Sequence, residues 1–157
     1  SVNENDLKET YKSVKKNYKA FVIPNYNESL KFFLYIELEK IRFQDTLKVY
    51  FNSDAVSENI QVAPMLLIPF VENAFKHGNL LNGFLTVQVD ICLIDGQLEF
   101  LVKNTVLNSE EGEKEQGIGL NNIQKRLDLL YKNNYSLNVE TIENWFVVNL
   151  KIFNLNN

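Results

Sequence analysis

The chain contains few of the residues that would indicate a disulfide-stabilised, fibrous or disordered protein. Its 157 residues include one cysteine, three prolines and six glycines. The single Cys92 excludes an internal disulfide and fits a reducing compartment. It lies in V-D-I-C-L-I, where a buried strand position is a better interpretation than a reactive thiol. No run of about 18 apolar residues is present, so no membrane-spanning helix is predicted, and the N-terminus lacks a signal-peptide pattern.

Positive charge is also scarce. Lysine and arginine together number 16 against 20 aspartates and glutamates, which gives a net charge of −4. This balance argues against a nucleic-acid partner held by bulk electrostatics, so any phosphate site must be local. The length and an apolar content of 45% fit one globular domain with a full core. Because the chain begins without Met inside a polar, helix-like segment, we expect it to be a fragment of a longer protein.

The most informative segment present is Pro64–Gly78, which reads P-M-L-L-I-P-F-V-E-N-A-F-K-H-G. At about 100° per residue, a helix here places Glu72, Asn73, Lys76 and His77 within about 140° of one another, opposite an apolar face. A carboxylate and an amide oxygen can hold Mg²⁺ or its waters, and a lysine on the same face can meet a phosphate. The pattern indicates a metal–nucleotide site, and it is equally typical of the solvated face of an amphipathic helix.

Apolar spacing predicts two helices before this segment. The first covers residues 4–19, and the second runs from Asn25 or Asn27 to Phe43. The predicted core positions of the second helix are Leu30, Phe33, Leu34, Leu38 and Ile41.

Proline and glycine set the limits of the helices that follow. Pro64 suits the first turn of the central helix, whereas Pro69 is expected to kink it. A last helix is predicted over residues 118–132, after the glycines at its start. Its core-facing side chains are predicted to be Leu120, Ile123, Leu127 and Leu130.

Period-two alternation predicts strands that occur in pairs. The predicted strands are 47–51, 84–94, 97–106, 136–141 and 145–153. Asp95-Gly96 is a strong two-residue hairpin signal, and Glu143-Asn144 is predicted to turn the second hairpin. Because the strands cluster instead of alternating with helices, we predict an α+β two-layer sandwich with a mixed, mostly antiparallel sheet covered by helices on one face.

A second candidate site element is Gly117-Ile118-Gly119-Leu120, which ends a polar loop and opens a helix. Glycine backbones let a phosphate approach the free N–H groups of a helix N-terminus, where the helix dipole favours an anion. A plain glycine-flanked helix start explains the same residues. The element gains weight because a candidate Mg²⁺ helix precedes it by one hairpin.

These two elements together resemble the N box and the glycine-rich box of LytS-like sensor histidine kinases. The second box is G-I-G-L-N-N-I-Q-K-R-L-D-L-L-Y at Gly117–Tyr131, and Y-I-E-L-E-K-I-R-F at Tyr35–Phe43 resembles the segment before the ATP-binding domain of these kinases. The resemblance implies a Bergerat-type ATP-binding fold, shared with DNA gyrase, heat-shock chaperones and mismatch-repair ATPases. It also implies a division into a helical dimerisation and linker remnant, 1–43, and a catalytic ATP-binding domain, 44–157.

The resemblance implies roles for the residues of the first box. Glu72, Asn73 and Lys76 are the predicted catalytic residues, with Asn73 coordinating the Mg²⁺ that bridges the ATP phosphates. Lys76 and His77 would line the phosphate end. Asn104 lies where the superfamily usually has an aspartate that reads the adenine amino group.

It also implies roles for the loop and the glycine-rich box. Leu107–Gln116 would be the ATP lid, from which Lys114 closes over the phosphates. Gly117, Gly119 and Leu120 would border the triphosphate.

Three departures from the family pattern bear on the function. Asn104 replaces the aspartate, and no glycine follows it until Gly112, so adenine binding lacks charge assistance. Pro69 stands where the ATPase relatives carry a water-activating glutamate, and proline cannot act as a base. The only histidine, His77, belongs to the nucleotide site, so the phosphoacceptor would lie before residue 1.

The sequence therefore predicts the cytoplasmic catalytic domain of an inner-membrane sensor histidine kinase that binds Mg·ATP. Its expected partners are ATP, its own upstream phosphoacceptor helix in a homodimer, and a response regulator. One alternative is a nucleotide-binding interaction module without kinase activity, degenerate at Asn104. Another is a serine kinase of the anti-sigma type on the same fold, against which the linker-like residues 1–43 argue.

Overall fold

The structure, a computed structural model, describes residues 26–54, 66–107 and 118–155. Within these ranges the chain forms three α-helices and five strands. In chain order they are α1 (Tyr26–Phe43), β1 (Leu47–Asp54), α2 (Ile68–His77), β2 (Leu85–Ile94), β3 (Gln97–Thr105), α3 (Ile118–Tyr131), β4 (Tyr135–Ile142) and β5 (Trp145–Ile152). The predicted helix over 4–19 and residues 108–116 of the predicted lid lie outside the described residues.

The five strands form one mixed sheet in the order β1-β2-β3-β5-β4. Strand β1 runs parallel to β2, and the other neighbouring pairs are antiparallel. Both predicted hairpins are confirmed. Asp95 and Gly96 have φ values of 50° and 76°, the left-handed conformation that a tight two-residue turn between β2 and β3 requires.

The helices cover one face of this sheet, as predicted. Along β2 the apolar side chains alternate with half-buried ones, because successive residues of a strand point to opposite faces. The buried members of β2 are Leu85, Val87, Val89, Ile91 and Leu93. Cys92 lies on β2 as predicted, but on the face away from the helices, where it is half-buried instead of buried.

The predicted core stripe of α1 is wrong at the C-terminal half of the helix. Leu38 and Ile41 are 64% and 73% exposed, whereas Ile36 is fully buried. The reason is that α1 packs through its other side: the rings of Tyr35 and Phe43 contact Phe75 of α2 at centroid distances of 5.7 and 6.4 Å. Both sides of this helix are apolar, so spacing alone cannot choose between them.

The expected kink at Pro69 is also wrong. Helix α2 begins at Ile68, so Pro69 stands in its first turn. There its missing N–H has no intrahelical partner to lose, and its fixed φ favours the helix. Pro64 lies outside the described residues.

Helix α3 follows the prediction except at its end. Leu120, Ile123 and Leu127 are buried in the common core, but Leu130 is 49% exposed. The helix ends at Tyr131, one residue before the predicted end at residue 132. The predicted boundary between 1–43 and 44–157 stays a prediction, and Ile36 joins the same hydrophobic core as the sheet.

Candidate functional site

Helix α2 has the two faces that its sequence predicts. Glu72, Lys76 and His77 are exposed, and Asn73 is half-buried beside them. The opposite face is buried in the core and comprises Ile68, Phe70, Val71, Ala74 and Phe75. The hydrophobic core is therefore formed by the opposite face of α2, and the polar side chains are not part of it. Carboxylate and amide oxygens are suitable donors for Mg²⁺, so Glu72 and Asn73 fit the predicted metal.

Gly78 ends α2 at a point of unusually close packing. Its N–H donates to the Ala74 carbonyl at 3.0 Å, and its φ of −67° is open to any residue. Space is what requires glycine: a Cβ atom would clash with Leu85 Cδ1, lie 2.7 Å from the Ala74 oxygen and lie 3.3 Å from Asn104 Nδ2. The end of the polar helix is thus pressed directly against Asn104.

Asn104 occupies a buried position on β3 between Val87 of β2 and Phe146 of β5. Its residue surface is 2% exposed, and its Nδ2 donates to the Thr105 carbonyl at 3.2 Å. A polar side chain at this depth is stable only when its donors and acceptors find partners. The sequence-predicted adenine position is therefore a buried amide next to the end of α2.

The side chain of the neighbouring Thr105, on β3, forms hydrogen bonds with β2 and with the segment that follows α2. Its Oγ1 donates to the Asn79 carbonyl at 2.8 Å and accepts the Thr86 N–H at 3.1 Å. The Asn79 N–H in turn donates to the Thr105 carbonyl at 2.8 Å, and Asn79 Oδ1 accepts the Leu107 N–H at 3.3 Å. This network fixes the chain after α2 to the end of β3.

The N-terminus of α3 supplies the other predicted element. Around Gly119 an added Cβ would meet no atom within 4 Å, so the backbone there is open. The Leu120 side chain is buried in the core, which leaves its backbone N–H as the group that a ligand can use. The first four N–H groups of a helix have no intrahelical partner and attract anions. Gly117 and Lys114 lie outside the described residues.

Packing brings these elements together. Helix α2 contacts α3, β2 and β3. The polar face of α2, the buried amide of Asn104 and the start of α3 thus belong to one helix-covered region of the fold. The placement of Asn73 and Gly119 in one cleft stays a prediction.

Tyr35 of α1 lies near one carboxylate of its own helix and one of α2. Burial, followed by the carboxylates of Glu39 and Glu72, raises the pKa of Tyr35 to about 12. Glu39 is itself nearly buried, and the Arg42 Nε lies 3.5 Å from its Oε2. The phenol of Tyr35 on α1 thus senses the charge of Glu72 on the polar face of α2.

A depression of about 520 Å³ lies on the opposite face of the sheet. Its lining includes Asn52, Asp90, Cys92, Glu99 and Asn149. The Asp90 carboxylate accepts hydrogen bonds from Asn52 Nδ2 at 2.7 Å and from Gln88 Nε2 at 2.8 Å. Because Asp90 and Glu99 would repel a triphosphate, this depression is a poor nucleotide site.

Sequence reasoning missed three residues of this region. The Pro64–Gly78 motif contains Gly78, but the reason for a glycine there is visible only from Leu85 and Asn104. Asn79 and Thr105 are 26 residues apart, and no local pattern indicates their contact.

Among the residues that the structure describes, no three histidines, cysteines or acids cluster as a metal site, and no helix is long and apolar enough to span a membrane.

Several solved structures with a similar fold are histidine kinases. The histidine kinase domain of the blue-light activated kinase of Erythrobacter litoralis aligns with a TM-score of 0.57 at 16% identity, over 94% of this chain and 71% of that one. The catalytic domain of histidine kinase ThkA gives 0.56 at 16% identity, over 93% and 92%. ThkA in complex with the response regulator protein TrrA gives 0.60 at 16% identity, over 94% and 47%. The fold is that of a histidine kinase catalytic domain.

The relatives found by sequence are named as sensor proteins and sensor kinases. Sensor protein LytS of Oceanobacillus iheyensis is 30% identical over 139 residues, which cover 78% of this chain and 23% of LytS. Sensor protein kinase HptS of Staphylococcus aureus is 36% identical over 53 residues, or 33% of this chain and 10% of HptS. No protein-family profile matches the chain. The predicted resemblance to LytS-like sensor histidine kinases is confirmed, and the chain spans under a quarter of these relatives.

Proposed function

We propose that the chain is the catalytic ATP-binding domain of a two-component sensor histidine kinase. It binds Mg·ATP and passes the γ-phosphoryl group to a histidine upstream of residue 1. The carrying observation is the packing of α2 against Asn104 at Gly78, which joins an exposed polar helix face to a buried amide. The fold of the histidine kinase catalytic domains supports the same assignment.

In this proposal the site residues bind different parts of Mg·ATP. Asn73 coordinates Mg²⁺, Glu72 holds the metal or its waters, and the metal supplies neutralisation of phosphate charge. Lys76 and His77 lie at the exposed end of α2 and meet the phosphates. Asn104 receives the adenine base. The backbones of Gly117, Gly119 and Leu120 border the triphosphate at the start of α3, and Lys114 closes over it.

Catalysis in this proposal is mainly positioning and charge neutralisation. The bond from the γ-phosphorus to the bridging oxygen breaks, ADP leaves with that oxygen, and a bond forms to an imidazole nitrogen. An acceptor imidazole approaches in line from outside the phosphate cradle. His77 shares a helix with the metal ligand, so it is badly placed to be that acceptor.

The setting of the domain follows from the same proposal. The phosphoacceptor helix belongs to a homodimer, of which residues 1–43 are the final part, and the phosphoryl group goes on to a response regulator. The complex of ThkA with TrrA supports such a partner. The domain would lie in the cytoplasm, with membrane attachment only through segments upstream of residue 1.

Calorimetric titration with Mg·ATP tests the binding claim. Asn73→Ala should weaken binding by about tenfold or more, by analogy with losses of metal-site residues. Asn138→Ala, which changes an exposed residue of β4, is the matched control and should bind as the wild type does. Equal affinity with and without Mg²⁺, or an unaffected Asn73→Ala, would remove the metal assignment.

Phosphotransfer separates the kinase from the alternative of a binding module without activity, which the Asn104 replacement favours. A longer chain carrying the upstream histidine should label itself with γ-labelled ATP, and the 157-residue chain should not. His77→Gln should lower nucleotide binding or leave it unchanged. Acid-labile phosphate on His77 would contradict its role, and a longer chain that binds ATP without labelling would favour the inactive module.

A further inference from the structure

Helix α1 has a second apolar face, opposite the one that joins the core. Ile36 is fully buried, whereas Leu38 and Ile41 are 64% and 73% exposed. At about 100° per residue, these two exposed side chains and the half-buried Leu34 lie about 140° to 200° around the helix from Ile36. The three side chains of this second face are called the outer stripe of α1.

The spacing of the outer stripe is that of a seam between two helices. Its members follow one another at intervals of four and three residues, the repeat with which packed helices interlock. A helix that is apolar on opposite sides is typical of a layer that is covered from both sides. One side of α1 meets the core through Ile36 and through aromatic contacts with Phe75. Within the described part of the chain, the other side is open to solvent at Leu38 and Ile41.

The outer stripe is too small to hold a separate protein molecule by itself. Stable interfaces between molecules bury about 800 Å² on each partner, from about 20–30 residues a side. The outer stripe offers three side chains, and the charged Glu37 and Arg42 flank it. A segment of the same chain needs far less area, because a short linker gives it an effective concentration of about millimolar. The occupant that fits is therefore a part of this chain.

Residues 4–19, which precede α1, carry a matching pattern. Their apolar positions follow at intervals of four, three and four residues and are Leu7, Tyr11, Val14 and Tyr18. A helix over these 16 residues would be about 24 Å long and could lie along α1, whose 18 residues span about 27 Å. Residues 20–25 remain for the connection, and connections of about 2–8 residues join antiparallel helices in bundles.

The two stripes are near mirror images of each other about Pro24. The pairs that are equally far from Pro24, to within one residue, are Leu7 with Ile41, Tyr11 with Leu38, and Val14 with Leu34. The outermost pair lies 17 residues from the proline on either side, and the innermost pair lies ten. Facing residues of an antiparallel hairpin are equally distant from its turn. A proline suits the turn, because it interrupts a helix and disfavours helical geometry in the residue before it.

We propose that residues 4–19 form a helix that packs antiparallel on the outer stripe of α1, with the chain turning at Pro24. Tyr11 then lies on Leu38. This contact is independent of nucleotide binding, and it gives residues 4–19 a surface that the proposed function does not assign to them. Because α1 contacts Phe75 of α2, a helix seated on α1 is one layer away from the candidate site.

The contact is an equilibrium between a seated and a free helix. A single helix of about this length is marginal in water, and the entropy of ordering it opposes the burial of a few apolar side chains. The seated helix therefore adds little to the free energy of unfolding, and truncation of Leu38 should leave urea unfolding nearly unchanged. Measurements of proximity test the contact instead.

Disulfide formation in the full 157-residue chain measures this proximity. In a Cys92→Ser background, the test variant carries Tyr11→Cys and Leu38→Cys, which leaves the other two pairs of the stripes in place. The control variant carries Glu9→Cys and Leu38→Cys. On a helix Glu9 and Tyr11 point about 160° apart, and the two loops differ in length by only two residues. We expect the test pair to oxidise about fivefold or more faster than the control pair, within one chain.

A third substitution tests whether the outer stripe is the surface responsible. Ile41→Asp, added to the test variant, should slow its oxidation to about the rate of the control pair. Leu129→Asp is the matched change on α3, where the leucine is 80% exposed, and it should leave the rate unchanged. Equal effects of the two aspartates would contradict the assignment of the surface.

Through-space NMR contacts test the unaltered chain. Protons of the Tyr11 ring should contact the methyl groups of Leu38, and their absence together with equal oxidation of the two cysteine pairs would overturn the proposal. Disulfide-linked dimers through Leu38→Cys, in place of a bond within one chain, would make the outer stripe an interface between copies and would also overturn it. Should a cysteine variant fail to fold, the NMR contacts of the unaltered chain decide alone. Mg·ADP affinity tests only the proposed function, so the two can fail separately.

Discussion

Gly78→Ala tests the close packing on which the candidate site depends. The new Cβ would clash with Leu85 Cδ1 and lie 2.7 Å from the Ala74 oxygen. Neither neighbour can move easily. Leu85 is fully buried, and the Ala74 carbonyl is held by the hydrogen bond from the Gly78 N–H. The backbone at Gly78 has to shift instead.

Two effects of opposite sign determine how much Gly78→Ala changes the free energy of unfolding. Overpacking a full interior costs about 1–3 kcal/mol. Alanine also restricts the unfolded chain, which returns about 0.4–1 kcal/mol where the native φ suits it, as the φ of −67° does here. We expect a net destabilisation of about 1–2 kcal/mol and a Tm lower by about 2–8 °C for a domain of this size.

Urea and thermal unfolding measure this change without any ligand. Gly119→Ala is the matched control, because an added Cβ there meets nothing within 4 Å, and it should unfold as the wild type does or slightly later. A Gly78→Ala protein that is as stable as the wild type would refute the close packing. Mg·ADP affinity should fall in Gly78→Ala as well, since the shift displaces Asn104.

Three further predictions concern other parts of the structure. Ile36→Ala should cost about 2–5 kcal/mol in urea unfolding, whereas Leu38→Ala on the same helix should change stability by less than about 0.5 kcal/mol; the reverse order would restore the sequence-predicted stripe. Thr105→Val leaves the Asn79 carbonyl and the Thr86 N–H without their partner and should cost about 1–3 kcal/mol, while exposed Thr141→Val should be neutral. The pKa of Tyr35 in the folded protein is about 12, above the usual 10.0. The protonated phenol therefore contributes stability that is complete below pH 10 and is lost as the pH rises towards 12. A titration followed by tyrosinate absorbance should show one tyrosine that ionises last, and Tyr35→Phe should remove it.

Local signals predicted most of the fold. The Asp95-Gly96 turn and the alternation on either side of it suffice for the first hairpin. The polar and apolar faces of α2 follow from residue spacing, because the helix lies on a sheet with one side in water. The same spacing failed for α1, where Leu38 and Ile41 on one side are as apolar as Ile36 and Phe43 on the other.

Non-local contacts explain the rest. No residue pattern indicates that β3 pairs with β5, or that β1 joins the sheet parallel to β2, since these pairs are far apart in sequence. The candidate site likewise has one part that local sequence signals predict and one part that they do not. The polar residues of α2 could be predicted, but the contact of Gly78 with Asn104 and the network of Asn79 with Thr105 depend on how distant segments meet.

The parallel pairing of β1 with β2 has a consequence for where the chain can be divided. Strand β1 is the end of the sheet, and it covers one side of β2 along all eight of its residues. A chain that began after residue 54 would leave the hydrogen-bonding groups of β2 exposed beside a row of large apolar side chains. Such an edge recruits strands from other molecules, so the shortened chain should aggregate as its concentration rises. Strand β1 is itself the edge of the sheet, but it replaces the apolar edge of β2 with one whose exposed side chains include Lys48, Tyr50 and Asn52, and a charged edge strand discourages further pairing. A cut beyond Leu47 would remove this replacement.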